Sequence, residues 1–225
     1  VRTLAKGQDD ISERLEQDRS HLKFLTDDLV SQINFARLVP LSRLLDDYPR
    51  IVRDLSQELG KECAIHVSGE TARIDRAVLD AVRVPLMHLL RNAIDHGIEA
   101  PEQRLAVGKS REGRISLEVF PLGGQIELVL SDDGAGIDME KIGDKVLARD
   151  DTSPAVWEAL SLHERLQFLF LPGFSTARVV SETSGRGFGL DIVKTELEKL
   201  GGSIDLEFTQ GQGVQFRLHL PLNLS

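Results

Sequence analysis

His88 to Glu99 reads HLLRNAIDHGIE. Apolar Leu89, Leu90, Ala93 and Ile94 recur at helical spacing, and Gly97 stops the run. On an unbroken helix His88, Asn92, Asp95 and His96 fall at i, i+4, i+7 and i+8, so imidazole, amide and carboxylate share one face. Such a stripe suits a hard cation with its phosphates, because Mg²⁺ takes oxygen ligands and keeps several waters. A solvated helix face is the plainer alternative.

Two glycine-rich clusters lie downstream. Asp132-Asp133-Gly134-Ala135-Gly136 follows a strand-like run. A carboxylate at a strand end, followed by two glycines, can reach a ligand that the backbone approaches closely. Asp-Gly is equally an ordinary turn. Gly185-Arg186-Gly187-Phe188-Gly189-Leu190-Asp191 opens a helix with three alternating glycines. Backbone N–H groups there can cradle phosphate oxygens. No Gly-Lys-Ser/Thr follows, so this is not a P-loop. Its glycine spacing and late position do not suit a Rossmann fingerprint either.

Around these clusters the pattern predicts helices over Ser42 to Leu59, Asp75 to His96 (capped by Asp75, with Pro85 inside) and Gly189 to Leu200. Ala64 to Val67 reads as a strand. Arg114 to Phe120 and Gln125 to Ser131 alternate around Gly123-Gly124, a hairpin signal. The stretch Phe120-Pro121-Leu122 puts the geometry of that hairpin in doubt. Ser203 to Phe208 and Val214 to Leu220 form a second hairpin around Gly211 and Gly213. The long connection from Asp138 to Ser184 has no clear period, and a connection of that length is functional or mobile as a rule. The fold class that follows is α+β, a two-layer sandwich with helices on one face of a sheet.

A long helix precedes it. Ile11, Leu15, Leu22, Leu25, Leu29, Ile33 and Ala36 form one stripe, with Glu13, Arg14, Glu16, Asp18, Arg19, Asp27 and Asp28 on the other faces. Such a helix needs a partner, either the rest of this chain or a bundle. Pro40 ends or bends it. The net charge of −9 argues against nucleic-acid binding. No apolar run is long enough for a membrane span, and there is no signal-peptide core. Cys63, the single cysteine, cannot pair internally and suits a reducing cytoplasmic location as a buried bystander. The chain starts at Val1, as expected of a piece of a longer protein.

The order of the clusters, an Asn-bearing helix, a strand ending in Asp-x-Gly-x-Gly, a long connection and Gly-x-Gly-x-Gly opening a helix, resembles the ATPase fold shared by gyrases, Hsp90 and histidine kinases. HLLRNAIDHGIE at 88–99, LPGFSTA at 171–177, SGRGFGLDIV at 184–193 and YPRIVRDL at 48–55 narrow the resemblance to CheA-type chemotaxis sensor histidine kinases. It runs from about Phe35 to the end. It implies a partial dimerisation helix over 1–38 and an ATP-binding catalytic domain over 39–225.

The resemblance also implies roles. Asn92 matches the Mg²⁺-binding asparagine. His88 stands where gyrase and Hsp90 relatives carry a catalytic glutamate, and it joins Asn92 as a catalytic and metal-site residue. Arg91, Asp95 and His96 lie beside the triphosphate. Asp132 matches the carboxylate that accepts from the adenine amine, with Gly134, Gly136 and Ile137 as companions. Gly185, Arg186, Gly187, Gly189 and Leu190 match the phosphate cradle. Phe170, Phe174, Ser175 and Thr176 lie in the lid segment. Phe188 and Leu190 replace the more usual Val and Met. The implied cofactors are ATP and Mg²⁺. The implied partners are a phosphoacceptor histidine domain, a response regulator, a CheW-like adaptor with chemoreceptors, and a second copy in the parent protein. Alternatives are a nucleotide-binding scaffold without kinase activity and a gyrase-type ATPase, against which His88 speaks.

Overall fold

The computed structural model describes residues 2–69, 73–149, 152–174 and 189–222. The chain divides into two compact units, Val1–Leu38 and Val39–Ser225.

The first unit is helix α1, Arg2–Arg37, which begins earlier than the apolar stripe alone indicates. Leu15, Leu22, Leu25 and Leu29 of the stripe are exposed. The chain then extends as β1, Leu38–Pro40, as the residues before a proline favour.

In the second unit, the helix expected over 42–59 forms as two pieces, α2 (Ser42–Leu45) and α3 (Tyr48–Glu58). Pro49 is the cause: its ring would strike the carbonyl of Leu45 in a continuous helix, but it fits the first turn of a new one. Gly60 ends α3 with φ +65°, while Lys61 N donates to Ser56 O at 2.8 Å. Strand β2 (Cys63–Ser68) and short β3 (Arg73–Asp75) follow. β3 pairs with β1. Asp75 caps α4 (Arg76–Asn92) by accepting from Ala77 N at 2.8 Å. The helix does not run on as an α-helix to His96. Ala93–Gly97 widens into a π turn, closed by Ile98 N donating to Ala93 O at 2.7 Å. Helix α5, Pro101–Ala106, leads into the sheet.

β4 (Gly113–Leu122) and β5 (Gln125–Asp132) pair antiparallel through the two-residue loop Gly123-Gly124, both at positive φ. Pro121 does not disturb the hairpin. It pairs with Ile126, a position from which its missing N–H would point away from β5, and β2 has already ended opposite Glu118. With β6 (Ser203–Thr209) and β7 (Gly213–Pro221), the sheet order is β2-β4-β5-β7-β6. Only the β2–β4 pair is parallel among these.

Strand alternation makes the sheet two-faced. Ile115, Leu117, Ile126, Leu128, Leu130, Phe216, Leu218 and Leu220 are buried in one core with Val82, Leu86, Leu89 and Leu90 of α4. Val193 and Leu197 of α9 (Leu190–Lys199) join them. Ser116, Ser131, Glu127, Arg217 and His219 lie on the opposite face, where the Ser116 and Ser131 hydroxyls meet at 2.8 Å. This is the two-layer α+β sandwich.

The connection after β5 is more ordered than its sequence indicates. It holds α6 (Met139–Ala148), α7 (Pro154–Ala159), α8 (Leu162–Gln167) and a 3-10 turn at Phe168–Phe170. The serine N-caps Ser153 and Ser161 start α7 and α8. Ile142, Val146, Trp157 and Phe174 form a second small core.

Candidate nucleotide site

Three elements meet at the end of the sheet where β5 runs out. The π turn after α4 supplies the first. A wide turn leaves Gly97 and its carbonyl close to the loop after β5, and Ala135 N donates to Gly97 O at 2.9 Å. A Cβ on Gly134 would lie 2.1 Å from Gly97 O, so only glycine fits there. Lys61 holds the turn from beneath: its ammonium donates to Ile94 O at 2.7 Å and to Asp95 O.

Asp132 is the last residue of β5 and is 9% exposed. Its Oδ1 accepts from Gly134 N at 2.9 Å. Burial pushes its carboxyl up to about 6. The Gly134 and Val214 amides oppose that rise, and the carboxylates of Asp133 and Glu99 add to it. A carboxylate kept from water, yet only partly satisfied, is poised to accept a further hydrogen bond. Gly136 stands at φ +80°, packed near Thr209 O, and Ile137 bridges the two cores.

His88 and Asn92 are one turn apart on α4, half-buried, with His88 Nε2 and Asn92 Nδ2 at 3.0 Å. The amide nitrogen is the donor group of Asn92, so this contact leaves its oxygen, the hard-cation ligand, uncommitted to His88. Burial pushes the His88 imidazole below its ordinary value. Asp191 pulls it back up, while Arg91 and His96 press it down. The ring sits in a small niche with Gly189, Ile192 and Val193 at the start of α9. Among the described residues no group of three or more His, Cys, Asp or Glu could cage a metal. A cation here would therefore take most of its ligands from phosphates and water.

The sequence-derived residues thus divide. His88, Asn92 and Gly189 converge, as do Gly97, Asp132 and Gly134. Arg91 and His96 are exposed and Asp95 half-buried; His96 Nε2 lies 3.7 Å from Asp95 Oδ2. Leu190 and Phe170 are buried in the main core, with Lys194 Nζ 5.7 Å from the centre of the Phe170 ring. Phe174 is anchored by α6: Lys145 donates to its carbonyl and stacks on its ring, and Arg149 Nη1 donates to Gly173 O at 2.9 Å. Ser175, Thr176, Gly185, Arg186 and Gly187 lie outside the described residues.

Sequence reasoning missed a part-buried cluster behind the Asp132 loop. Glu99, Arg104, Lys109 and Asp133 interlock there, with Arg104 fully buried. Nothing in PEQRLAVGKS marks its Arg and Lys as inward-facing; the apolar Leu105 and Val107 beside Arg104 are the ones exposed. A cleft of about 680 Å³ also opens between α8 and the β6–β7 hairpin, with Asp132 on its wall. Neither Asn92 nor His88 lines it, so the Asp132–Gly97 junction carries more of the functional reading than the cleft does.

Residues 81–224 match the family described as histidine kinase-, DNA gyrase B-, and HSP90-like ATPase. The chain belongs to that family. It is 42% identical over 201 residues to the chemotaxis protein CheA of Bacillus subtilis, covering 89% of this chain and 30% of that protein. It is 38% identical over 213 residues to the sensor histidine kinase CheAY of Helicobacter pylori, covering 95% and 26%. It is 42% identical over 190 residues to a gliding motility regulatory protein of Myxococcus xanthus, covering 84% and 24%. The chain therefore spans under a third of the length of these relatives. No helix among the described residues is long and apolar enough to cross a membrane.

Proposed function

We propose that this chain is the ATP-binding core of a CheA-type histidine kinase, which passes the γ-phosphoryl group of ATP to a histidine on a separate phosphoacceptor domain. The bond from the γ-phosphorus to the ADP oxygen breaks as the bond to the acceptor's imidazole nitrogen forms. The observation that carries this reading is the buried Asp132 carboxylate seated against Gly97 at the end of β5, within an ATPase-family domain about 40% identical to CheA proteins.

Asp132 accepts from the adenine amine. Guanine presents a carbonyl at that place, which the carboxylate repels. Asn92 would hold Mg²⁺ through its amide oxygen, with His88 as its neutral neighbour and orienting partner. The ion would supply neutralisation of phosphate charge, which matters in a chain of net charge −9. Arg91, Asp95 and His96 border the triphosphate, and the Gly185–Gly189 glycines cradle it. Phosphoryl transfer needs little more from a protein than such positioning and charge neutralisation.

Residues 1–38 are read as a dimerisation helix. Its exposed leucines suit a bundle formed in the longer parent, which acts in the cytoplasm with a response regulator, an adaptor and chemoreceptors. The test is transfer of label from γ-³²P-ATP to a separately supplied acceptor domain. Label on the acceptor histidine that disappears with Asn92→Ala is the expected result. ATP binding without any transfer would leave a nucleotide-responsive scaffold instead.

A further inference from the structure

The cluster behind the Asp132 loop converges on the backbone of Asp133 and Gly134. Lys109 Nζ lies 2.7 Å from Glu99 Oε1, 2.8 Å from Asp133 O and 2.8 Å from Gly134 O, so each ammonium proton has an acceptor. Arg104 donates from Nε to Ser110 O at 2.7 Å, from Nη1 to Glu99 Oε2 at 3.0 Å and from Nη2 to Asp133 Oδ2 at 2.8 Å. Asp133 Oδ1 accepts from Arg114 N at 2.9 Å, and Asp133 N donates to Arg114 O at 3.1 Å.

The loop is therefore gripped from behind, and its front end grips Asp132. Gly134 lends its carbonyl to Lys109 and its N–H to Asp132 Oδ1. The Gly134 N–H shares its planar peptide with the Asp133 carbonyl, which Lys109 holds at 2.8 Å, so the ammonium bears directly on the direction of that N–H. Buried ion pairs cost desolvation and stabilise a fold little more than well-packed apolar side chains of the same size.

We propose that Lys109, backed by Arg104 and Glu99, is a positioning residue for nucleotide recognition: it sets the Asp133–Gly134 loop so that Asp132 meets the adenine edge. This rests on the reading of Asp132 as the adenine-selecting carboxylate. A second consequence is electrostatic. The charged groups that bear on Asp132 are Asp133 on its own loop and Glu99 before α5, while β7 contributes only the Val214 amide. Lys109 and Arg104 neutralise both neighbouring carboxylates.

The experiment is calorimetric titration of the wild type, Lys109→Met and Lys109→Arg with Mg²⁺–ATP and Mg²⁺–GTP between pH 5 and 8. Lys109→Met is expected to weaken ATP on the order of ten-fold and to narrow the preference for ATP over GTP. The pH below which ATP affinity falls should move up by roughly a few tenths of a unit, because Glu99, one of the two carboxylates that bear on Asp132, loses its Lys109 ammonium while Arg104 still pairs with both. Lys109→Arg should restore most of the preference. A general loss of packing would lower affinity without moving the pH limb or the ratio. If Lys109→Met gives no cooperative melt, Lys109→Gln carries the same expectations, being polar and neutral. A wild type without adenine preference overturns the Asp132 reading and the proposal with it. A wild type that prefers ATP, with a variant that keeps both the preference and the pH limb, overturns the proposal alone.

Discussion

The carboxylate of Asp132 lies against the backbone of Gly97, so that a Cβ built on Gly97 would stand 3.1 Å from Oδ1 and 3.2 Å from Oδ2. Two stretches 35 residues apart in sequence thus share one surface, and the closeness is set by missing side chains. Gly97 needs no left-handed conformation, since it is not among the glycines at positive φ. Gly97→Ala should therefore fold, with the carboxylate displaced by a few tenths of an ångström. ATP affinity is expected to fall about ten-fold with little change in melting temperature. Gly134→Ala should behave differently, because its Cβ would meet the Gly97 carbonyl, which has no rotamer to escape into. A destabilisation of about 2–4 kcal/mol, read by urea unfolding, is expected there.

Asp132 links the site to stability. Its carboxyl titrates near 6 in the folded chain, against 3.8 for the ordinary side chain. The folded state therefore holds this proton more tightly than the unfolded state does. The stability it contributes is present at low pH and is lost as pH rises from about 4 through about 6. At pH 7.5 the ionised group costs the fold on the order of 2–3 kcal/mol. Asp132→Asn should leave the melting temperature at pH 7.5 unchanged or raised while ATP binding collapses. A variant that melts much lower would mean the carboxylate is structural. In the wild type, ATP affinity should weaken as pH falls through about 6, where the acceptor becomes protonated.

Tyr48 gives a prediction away from the site. Its hydroxyl is buried without a hydrogen-bond partner among the described residues, and the side chain is 1% exposed. An unmet buried hydroxyl costs about 1–3 kcal/mol. Tyr48→Phe removes the hydroxyl and keeps the ring, so unfolding free energy should rise by about 1 kcal/mol with ATP binding untouched. A loss of stability would show that the hydroxyl has a partner in solution.

Metal dependence follows from Asn92. A lone amide oxygen beside a neutral imidazole cannot hold Mg²⁺ without the phosphates, and the triphosphate cannot easily approach an acidic chain without Mg²⁺. ATP affinity measured with excess EDTA should fall by ten-fold or more, and Asn92→Ala should bring the two conditions together. Equal affinity in wild type with and without EDTA would remove the metal from the site.

Much of this protein was written locally. Asp75 before an apolar run, Gly60 after one, and Gly123-Gly124 between two alternating runs each determine a cap or a turn within a few residues, because capping and turn geometry are short-range. The alternation of β4, β5 and β7 determined which face is buried. The order of the three polar and glycine-rich clusters was legible for the same reason. What the sequence left open was decided at long range. Pro49 forces the break between α2 and α3 locally, but that Leu44, Leu45 and Tyr48 on its two sides all enter one core was settled only by what packs around them. The π turn at Ala93–Gly97 adds one residue to a helical turn, which periodicity alone does not show, and Lys61 from 33 residues upstream holds it. Arg104 and Lys109 look like surface charges until Glu99 and Asp133 close around them. Whether a charge is buried depends on what the rest of the chain brings to it, and only the tertiary structure supplies that.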